Sequence, residues 1–510
     1  MGKAEKLIIY KETITSEDIT ELLGSNESVF GYVYNLKACI EDIIKALLDN
    51  GYKDKTDVPG NTQKGEFTYL VCTDKRTLKV YIKVNYRVSI TLVDFCNIVS
   101  GNKLQLKEAY KMESVAECMR VAIEQLKSFG MADNSTIGSA ALRIFKDNID
   151  YNYSFTFPHG IYDIQCPKSF PYMKNIGQMI RNSYSGGWCY LNPEYTDKEI
   201  DNGVVFDENS LYPYCMVNFD YPVGKPTSIW EGEEPEMVKT LRKNRYCFYV
   251  IRATFEVKPG KFPFIKVKND FRYKQNETPT KVDNGIVLVL NETDMELFKE
   301  CYKINSIEHI GGCAFQKRSG EELFGKYIRK FYDIKQNSDG VVKHTAKMLL
   351  NNLGGKFGSG MDSTHYVFDG ERLRAKYEWN RRGSYIPVAS AMTAYARKMT
   401  MTAAIENKDR FIYSDTDSLH LDGTEIPESL KIGNYLGEWK IEDTFTNGFY
   451  TGQKVYSFKA DKIHKYYIGE DIQESPIKFV VAGMVDSEKW NYIAQTDVPA
   501  KLLKEMKNNC

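Results

Sequence analysis

Residues 411–421 read FIYSDTDSLHL. Three hydrophobic residues lead into Ser-Asp-Thr-Asp-Ser, and an alternating Leu-His-Leu leads out. The pattern predicts two short strands joined by a tight turn, because Asp and Ser favour turns through local hydrogen bonds. Taken alone, Asp415-Thr416-Asp417-Ser418 is ordinary turn chemistry. Residues two apart on a strand share a face, so the same tip can also turn Asp415 and Asp417 toward one point. The rest of the chain has to decide between these readings.

Working outward, a helix is predicted at 388–406, just before the hairpin. Far upstream, NGVVFDENSLYPYCM (202–216) reads as a buried strand running into a turn or helix start. Asp207 follows Val204-Val205-Phe206 and precedes the capping residues Asn209 and Ser210, so this strand delivers a carboxylate to its own end. Three carboxylates gathered at one place repel unless cations hold them. Oxygen-only ligands suit Mg²⁺ or Mn²⁺. Two such ions can activate a 3′ hydroxyl and stabilise the leaving pyrophosphate of an in-line displacement.

Two further features bear on this chemistry. In KHTAKMLLNN (343–352), Lys343, Lys347 and Asn351 recur every four residues and line one helical face. That face either meets an anion such as a nucleotide triphosphate or carries two solvated lysines; Lys335 lies just upstream. Leu353-Gly354-Gly355 either caps the helix or lets a base pair approach closely. Tyr212, beside Pro213, is either a core residue or a ring that stacks under an incoming sugar and excludes a 2′ hydroxyl.

The bulk numbers are permissive. At 510 residues, two to four domains are expected. Hydrophobic content of 42% and charged content of 27% describe a globular chain. The net charge is zero, with 68 basic and 68 acidic residues, so nucleic-acid binding would need a local basic groove. Basic clusters occur at Lys239, Arg242, Lys243 and Arg245, at Lys261, Lys266, Lys268, Arg272 and Lys274, and at Arg372, Arg374, Lys376, Arg381 and Arg382. Eleven cysteines, an odd number without a Cys-x-x-Cys pair, read as free thiols in a reducing compartment, with no zinc site. The start, MGKAEKLIIYKET, is not a signal peptide, and no stretch approaches 18 apolar residues. A cytoplasmic protein with no membrane partner is expected.

Along the chain, residues 1–150 read as mixed α/β, with helices at 38–49 and 113–128 and strands at 66–72 and 78–94. Residues 157–172 carry three prolines and read as a linker. Strands are expected at 245–256 and 285–290, a helix at 293–303, a long helical stretch at 322–353, a hairpin-like insert at 359–386 and a small tail region after 440.

FDENSLYP (206–213), KMLLNNLGGKFG (347–358) and YSDTDS (413–418) match motifs A, B and C in order and separation, and the chain thereby resembles the family B DNA polymerases. YSGG (184–187) looks like the YxGG motif that links exonuclease and polymerase domains. QKVYSF (453–458) looks like the primer-contacting KxY motif, and VAGMVD (481–486) is similar to a thumb motif. Regions 285–335 and 359–386 correspond to terminal-protein regions 1 and 2, which mark the protein-primed branch of small tailed phages, adenoviruses and linear plasmids. The resemblance covers roughly residues 170–490.

The resemblance implies an α+β multidomain right-hand polymerase behind a shortened, RNase H-like exonuclease-type α/β domain. The implied division is 1–156 degenerate exonuclease-like, 157–183 linker, 184–284 first part of the palm, 285–335 terminal-protein region 1, 336–358 fingers, 359–386 terminal-protein region 2, 387–445 second part of the palm and 446–510 short thumb. It implies a DNA-directed DNA polymerase for DNA replication, using two Mg²⁺ or Mn²⁺ ions, with template-primer DNA, dNTPs and a terminal priming protein as partners. Asp207 and Asp417 would bind both metals, Asp415 would complete the site, and the backbone carbonyl of Glu208 would add a ligand. Tyr212 would be the sugar gate. Lys335, Lys343, Lys347 and Asn351 would hold the triphosphate and nascent pair. Tyr184, Gly186, Gly187, Lys454 and Tyr456 would contact primer and template.

The departures from the family pattern matter. YVYNLKACIEDI (32–43) resembles the second exonuclease motif and keeps Asn35, but Cys39 replaces its metal-binding Asp. No Asp-x-Glu stands near residue 10, and a loose alignment puts Tyr110 and Ser114 at the third motif. A two-metal nuclease needs those carboxylates, so no proofreading is expected. Gly354 replaces the family's usual Tyr against the nascent base pair, which removes a ring and loosens base discrimination. The chain ends at Cys510, earlier than the usual thumb, so a weak grip on duplex is expected. Two alternatives follow: a template-relaxed nucleotidyltransferase, and an inactive polymerase-like subunit that binds DNA or protein.

Overall fold

Glu66–Cys72 alternates half-buried and buried residues, the period of a strand with one covered face. It belongs to a six-stranded sheet whose order is Leu7–Lys11, Val29–Val33, Ser89–Asp94, Arg76–Lys83, Glu66–Cys72 and Lys53–Asp54. The first three strands run parallel and the next two antiparallel. This computed structural model describes residues 6–57, 60–72, 76–131, 136–268, 270–274, 277–360, 363–378 and 384–509. Arg381 and Arg382, and residues 361–362 and 379–383 of the expected insert, lie outside them.

The chain divides into two units. The first joins Met1–Asn148 to Arg329–Ser384. Its sheet packs on the helix Ile40–Asp49 through a core that includes Val33, Ile44, Leu47, Phe67, Val80 and Leu92. The expected helical stretch 322–353 is two helices, Gly320–Asn337 and Gly340–Phe357, broken where Asp339 takes the N-cap position. The second helix runs through Gly354 and Gly355 and ends at Phe357, so those glycines do not cap it; Gly358 does. Phe357 meets Phe145 of the helix Ile137–Asp147 edge-on at 6.3 Å. The insert forms the hairpin Ser363–Phe368 and Leu373–Glu378. Leu373 enters the sheet's core, and the Phe368 amide donates to Tyr69 Oη at 2.7 Å.

The second unit joins Ile149–Ile328 to Tyr385–Cys510. One antiparallel sheet has the order Lys281–Asn291, Arg245–Val257, Tyr302–Ser319 and Asp220–Glu231. The strand Tyr302–Ser319 has no counterpart in the sequence expectations, and the helix before it stops at Cys301. Residues 305–308 are exposed on both faces, so its first half lacks the apolar alternation that marks a strand.

The other sheet has seven strands. In chain order they are β1 (Cys189–Leu191), β2 (Glu199–Glu208), β3 (Phe411–Asp415), β4 (Ser418–Asp422), β5 (Trp439–Gly452), β6 (Val455–Ile468) and β7 (Asp471–Val481). Their order across the sheet is β7-β6-β5-β2-β4-β3-β1. The segment after 440, expected as a small tail, therefore extends the sheet that holds Asp207. Val204, Val205 and Phe206 are all buried because both faces of β2 are covered. Val204 and Phe206 join the larger core with Cys247, Phe298, Leu419 and Leu421, whereas Val205 packs with Ile412, Phe445 and Phe458. Ile386–Glu406, rich in buried Ala, Met and Thr, is a core helix. Residues 157–183, read as a linker, hold the buried Phe157, Ile161 and Phe170 and the helix Ile176–Ser183.

Among the described residues, no helix is long and apolar enough to cross a membrane.

Candidate active site

The opening hairpin forms as its sequence suggests. β3 and β4 pair antiparallel, with Asp415 opposite Ser418 and Thr416-Asp417 as the connection. Thr416 has a φ of 64°, a left-handed conformation that a β-branched residue adopts only under constraint. The constraint is local. The Thr416 amide donates to the Trp188 carbonyl at 2.7 Å, and Thr400 Oγ1 donates to the Thr416 carbonyl at 2.8 Å. Gly187 permits this docking: a Cβ there would meet Thr416 Oγ1 at 2.5 Å and Cγ2 at 2.6 Å.

Register then assembles the acids. On one row across the sheet stand Cys189, Asp415, Ser418, Asp207 and Lys440. Asp415 and Asp207 flank Ser418, two strand spacings or about 10 Å apart at the backbone. Asp417 sits at the tip, and its carbonyl accepts from the Glu208 amide at 2.8 Å. The acidic side chains are held by lysines. Lys440 Nζ lies 2.6 Å from Asp207 Oδ2, and Lys454 Nζ lies 3.3 Å from Asp415 Oδ2. Among the described residues, no three His, Cys, Asp or Glu side chains converge as a ready metal cluster.

The electrostatics nevertheless suit a divalent cation. Burial, then the neighbouring Asp207 and Asp415, push Asp417 up to about 6. The tip thus carries negative potential that the lysines leave uncompensated, and an oxygen-only donor set is available for Mg²⁺ or Mn²⁺. Lys440 and Lys454 are 47% and 52% exposed, so each pair is worth only about 1 kcal/mol or less and can be displaced. Glu208 points to the opposite face of β2 from Asp207. Its side chain is 1% exposed and is pushed up to about 8, chiefly by burial.

The turn 184–187 is clamped from beneath. Arg397 donates to the carbonyls of Ser185 and Gly186 at 2.7 and 2.8 Å, and Lys268 donates to those of Asn182 and Tyr184. Arg397 is 2% exposed and pairs with buried Asp294 at 2.6 Å. Tyr212 follows Ser210 on the short helix Leu211–Asn218; burial raises its phenol to about 12. Tyr184, Arg397 and Asp417 all act on that phenol, so it faces the same region. The Lys454 amide donates to Tyr413 Oη at 3.0 Å, and Tyr413 and Tyr456 lie 5.3 Å apart.

The second unit thus brings together Asp207, Asp415, Asp417, Tyr212, Tyr184, Gly187, Lys454 and Tyr456. Lys335, Lys343, Lys347, Asn351 and Gly354 belong to the first unit. There Lys343, Lys347 and Asn351 are exposed on one face of the helix Gly340–Phe357, while Gly354 is buried. In the same unit, Cys39 begins the helix Ile40–Asp49 and burial raises its thiol to about 11. Tyr110 bonds His344 Nδ1 at 3.0 Å, and Ser114 caps the helix Val115–Ser128. Sequence reasoning missed Lys440, Arg397 and Asp294. Only strand register and tertiary packing bring them to the site, and no local motif marks them.

The model for DNA polymerase type B, organellar and viral, matches residues 110–433. The DNA polymerase of Bacillus phage phi29 is 36% identical over 397 residues, which cover 74% of this chain and 64% of that protein. The chain thus spans less than two thirds of that relative's length in the match. The DNA polymerase of Streptococcus phage Cp-1 is 32% identical over 264 residues, 49% of this chain and 45% of that protein. Phi29 DNA polymerase complexed with primer-template DNA and incoming nucleotide substrates overlays with a TM-score of 0.78 at 27% identity. That overlay covers 94% of this chain and 87% of the other, and it bears out the multidomain α+β fold class.

Proposed function

We propose, for a chain that belongs to the organellar and viral type B DNA polymerases, that it is a DNA-directed DNA polymerase of the protein-primed kind. It transfers a nucleotidyl group from a dNTP to a 3′ hydroxyl, or to a hydroxyl of a terminal priming protein, and it does so without 3′–5′ proofreading. The observation that carries this reading is the sheet register, with Asp207 and Asp415 on either side of Ser418 and Asp417 at the tip between them.

Asp207, Asp417 and Asp415, with the backbone carbonyl of Glu208, would hold two Mg²⁺ or Mn²⁺ ions. When bound, such ions supply Lewis-acid activation of the attacking hydroxyl and neutralise the leaving pyrophosphate. The chain's own residues do the rest. Lys440 and Lys454, which pair with Asp207 and Asp415, would release those carboxylates to the ions, and Lys454, with Tyr456, would steady the primer terminus. Tyr212 closes the sugar pocket against a 2′ hydroxyl. Lys335, Lys343, Lys347 and Asn351 take the triphosphate and the nascent pair. The turn Tyr184–Gly187, held by Arg397 and Lys268, guides template and primer. Phi29 DNA polymerase has been captured with primer-template DNA and with incoming nucleotides, which supports the same substrates here. Loss of proofreading rests on Cys39 standing for an acid and on the absence of an Asp-x-Glu near residue 10. The working compartment is the cytoplasm, that of the host cell if the gene is carried by a phage or plasmid.

The test is dNTP incorporation on a primer–template with Mg²⁺ or Mn²⁺, beside Asp415→Asn. Templated extension by the wild type and a loss of at least a thousandfold in the variant are expected. Equal incorporation by the two proteins would refute the assignment.

A further inference from the structure

Behind the strand that carries Asp207 lies a cavity of about 450 Å³. Four glutamates line it: Glu208, Glu292, Glu296 and Glu406. Two are already matched, Glu292 by Lys317 and Glu296 by Lys398 at 2.9 Å. Glu406 has no ion pair among the described residues. Glu208 is the anomaly. Its side chain is 99% buried, and neither Oε1 nor Oε2 has a hydrogen-bond partner. Leaving a buried carboxyl unpartnered costs about 1–3 kcal/mol or more, so a native fold keeps one where something else satisfies it.

The remaining wall is mixed: Lys398, already paired with Glu296, and the hydroxyl residues Thr293, Thr402 and Ser429 lie beside an apolar group. Trp439, directly opposite Glu208 in the β2–β5 register, joins Tyr395, Met399 and Leu430. The space far exceeds what one metal ion and its donors require, and its size and lining fall within the usual range of small-molecule sites. Aromatic faces beside carboxylates suit a cation with a hydrocarbon body, because the rings attract the charge and cover the methylenes. We propose that this cavity binds an aliphatic polyamine, with one ammonium group on Glu208, a second toward Glu406 at the rim, and the methylene chain against Trp439 and Met399. The Glu208 side chain lies on the face of β2 opposite Asp207, so the cavity and the proposed metal site share only the Glu208 backbone.

The experiment is isothermal titration of the DNA-free protein with spermidine, in EDTA and again in excess Mg²⁺. Saturable binding of one spermidine per chain is expected in both buffers. Glu208→Gln, a neutral isostere, should weaken binding tenfold or more, and Glu406→Gln, at an exposed position, should weaken it several-fold. Asp415→Asn should bind as the wild type does. Absence of binding at millimolar spermidine overturns the proposal. So does a Glu208→Gln protein that binds normally, which would mean that the buried carboxyl is merely protonated. Loss of binding in Mg²⁺ or in Asp415→Asn would place the amine on the catalytic acids and would also overturn it. Should Glu208→Gln not fold, an unchanged affinity in Glu406→Gln decides against the site.

Discussion

Replacing Gly187 by alanine tests whether the hairpin tip is held where the sheet register puts it. The new Cβ would lie 2.5, 2.6 and 2.8 Å from Thr416 Oγ1, Cγ2 and Cβ. Ordinary contact begins near 3.4 Å, so either Thr416 moves or the 184–187 turn does. Thr416 cannot yield easily: its φ of 64° is already strained, and its amide and carbonyl are bonded to Trp188 and Thr400. Overpacking of this kind costs about 1–3 kcal/mol. A shift of the tip by about 1 Å carries Asp415 and Asp417 with it, enough for roughly a hundredfold loss of turnover. Urea unfolding and single-nucleotide incorporation measure the two effects. The control is Thr416→Gly, which removes all three clashing atoms and relieves the positive φ. Thr416→Gly alone should fall within about 1 kcal/mol of the wild type, because relieved strain offsets added chain entropy. In that background Gly187→Ala should cost less than about 0.5 kcal/mol, so the cycle yields a coupling of about 1–2 kcal/mol. Equal cost in both backgrounds, or no cost in either, would show that Gly187 does not hold the tip.

Three further outcomes are expected. Asp417 titrates near 6 in the metal-free fold against an ordinary 3.8. The native state therefore binds its proton more tightly than the unfolded chain does, a stabilisation that is complete below about pH 4 and is lost as the pH rises through 6. It amounts to at most about 3 kcal/mol, and the difference in urea stability between wild type and Asp417→Asn should trace it; a flat difference from pH 4 to 8 rejects it. Gly355 is exposed within a helix, and an added Cβ meets nothing within 4 Å. Gly355→Ala should therefore stabilise by about 0.5–1 kcal/mol, seen as a higher melting temperature. Arg397→Met strands buried Asp294 and frees the Ser185 and Gly186 carbonyls. A loss of about 3–5 kcal/mol in urea unfolding is expected, with Arg397→Lys recovering only part of it, because an ammonium cannot span both carbonyls and the carboxylate.

Much of the site was legible before the fold. Period-two patterning and turn residues marked β3, β4 and the end of β2, and a four-residue spacing marked the exposed helical face of Lys343, Lys347 and Asn351 in the first unit. Those signals are local, because they follow from how a single strand or helix points its side chains. Where local signals mixed, they misled. The helical stretch 322–353 hid its break at Asp339, the first half of Tyr302–Ser319, without apolar alternation, concealed a strand, and the segment after 440 read as a tail although it adds three strands to the sheet that carries Asp207.

By itself, the sequence determined which residue types are available: three acids at strand ends and a turn, a cationic helical face, and a glycine pair before Trp188. Tertiary structure alone decided their neighbours. Cross-strand register, a property of two segments far apart in the chain, set Lys440 beside Asp207 and Ser418 between the acids. Packing put Arg397 beneath the 184–187 turn and made Gly187 necessary to it. It also left Glu208 buried without a partner behind Asp207, because adjacent residues of a strand face opposite sides and only the covering elements determine what each side meets.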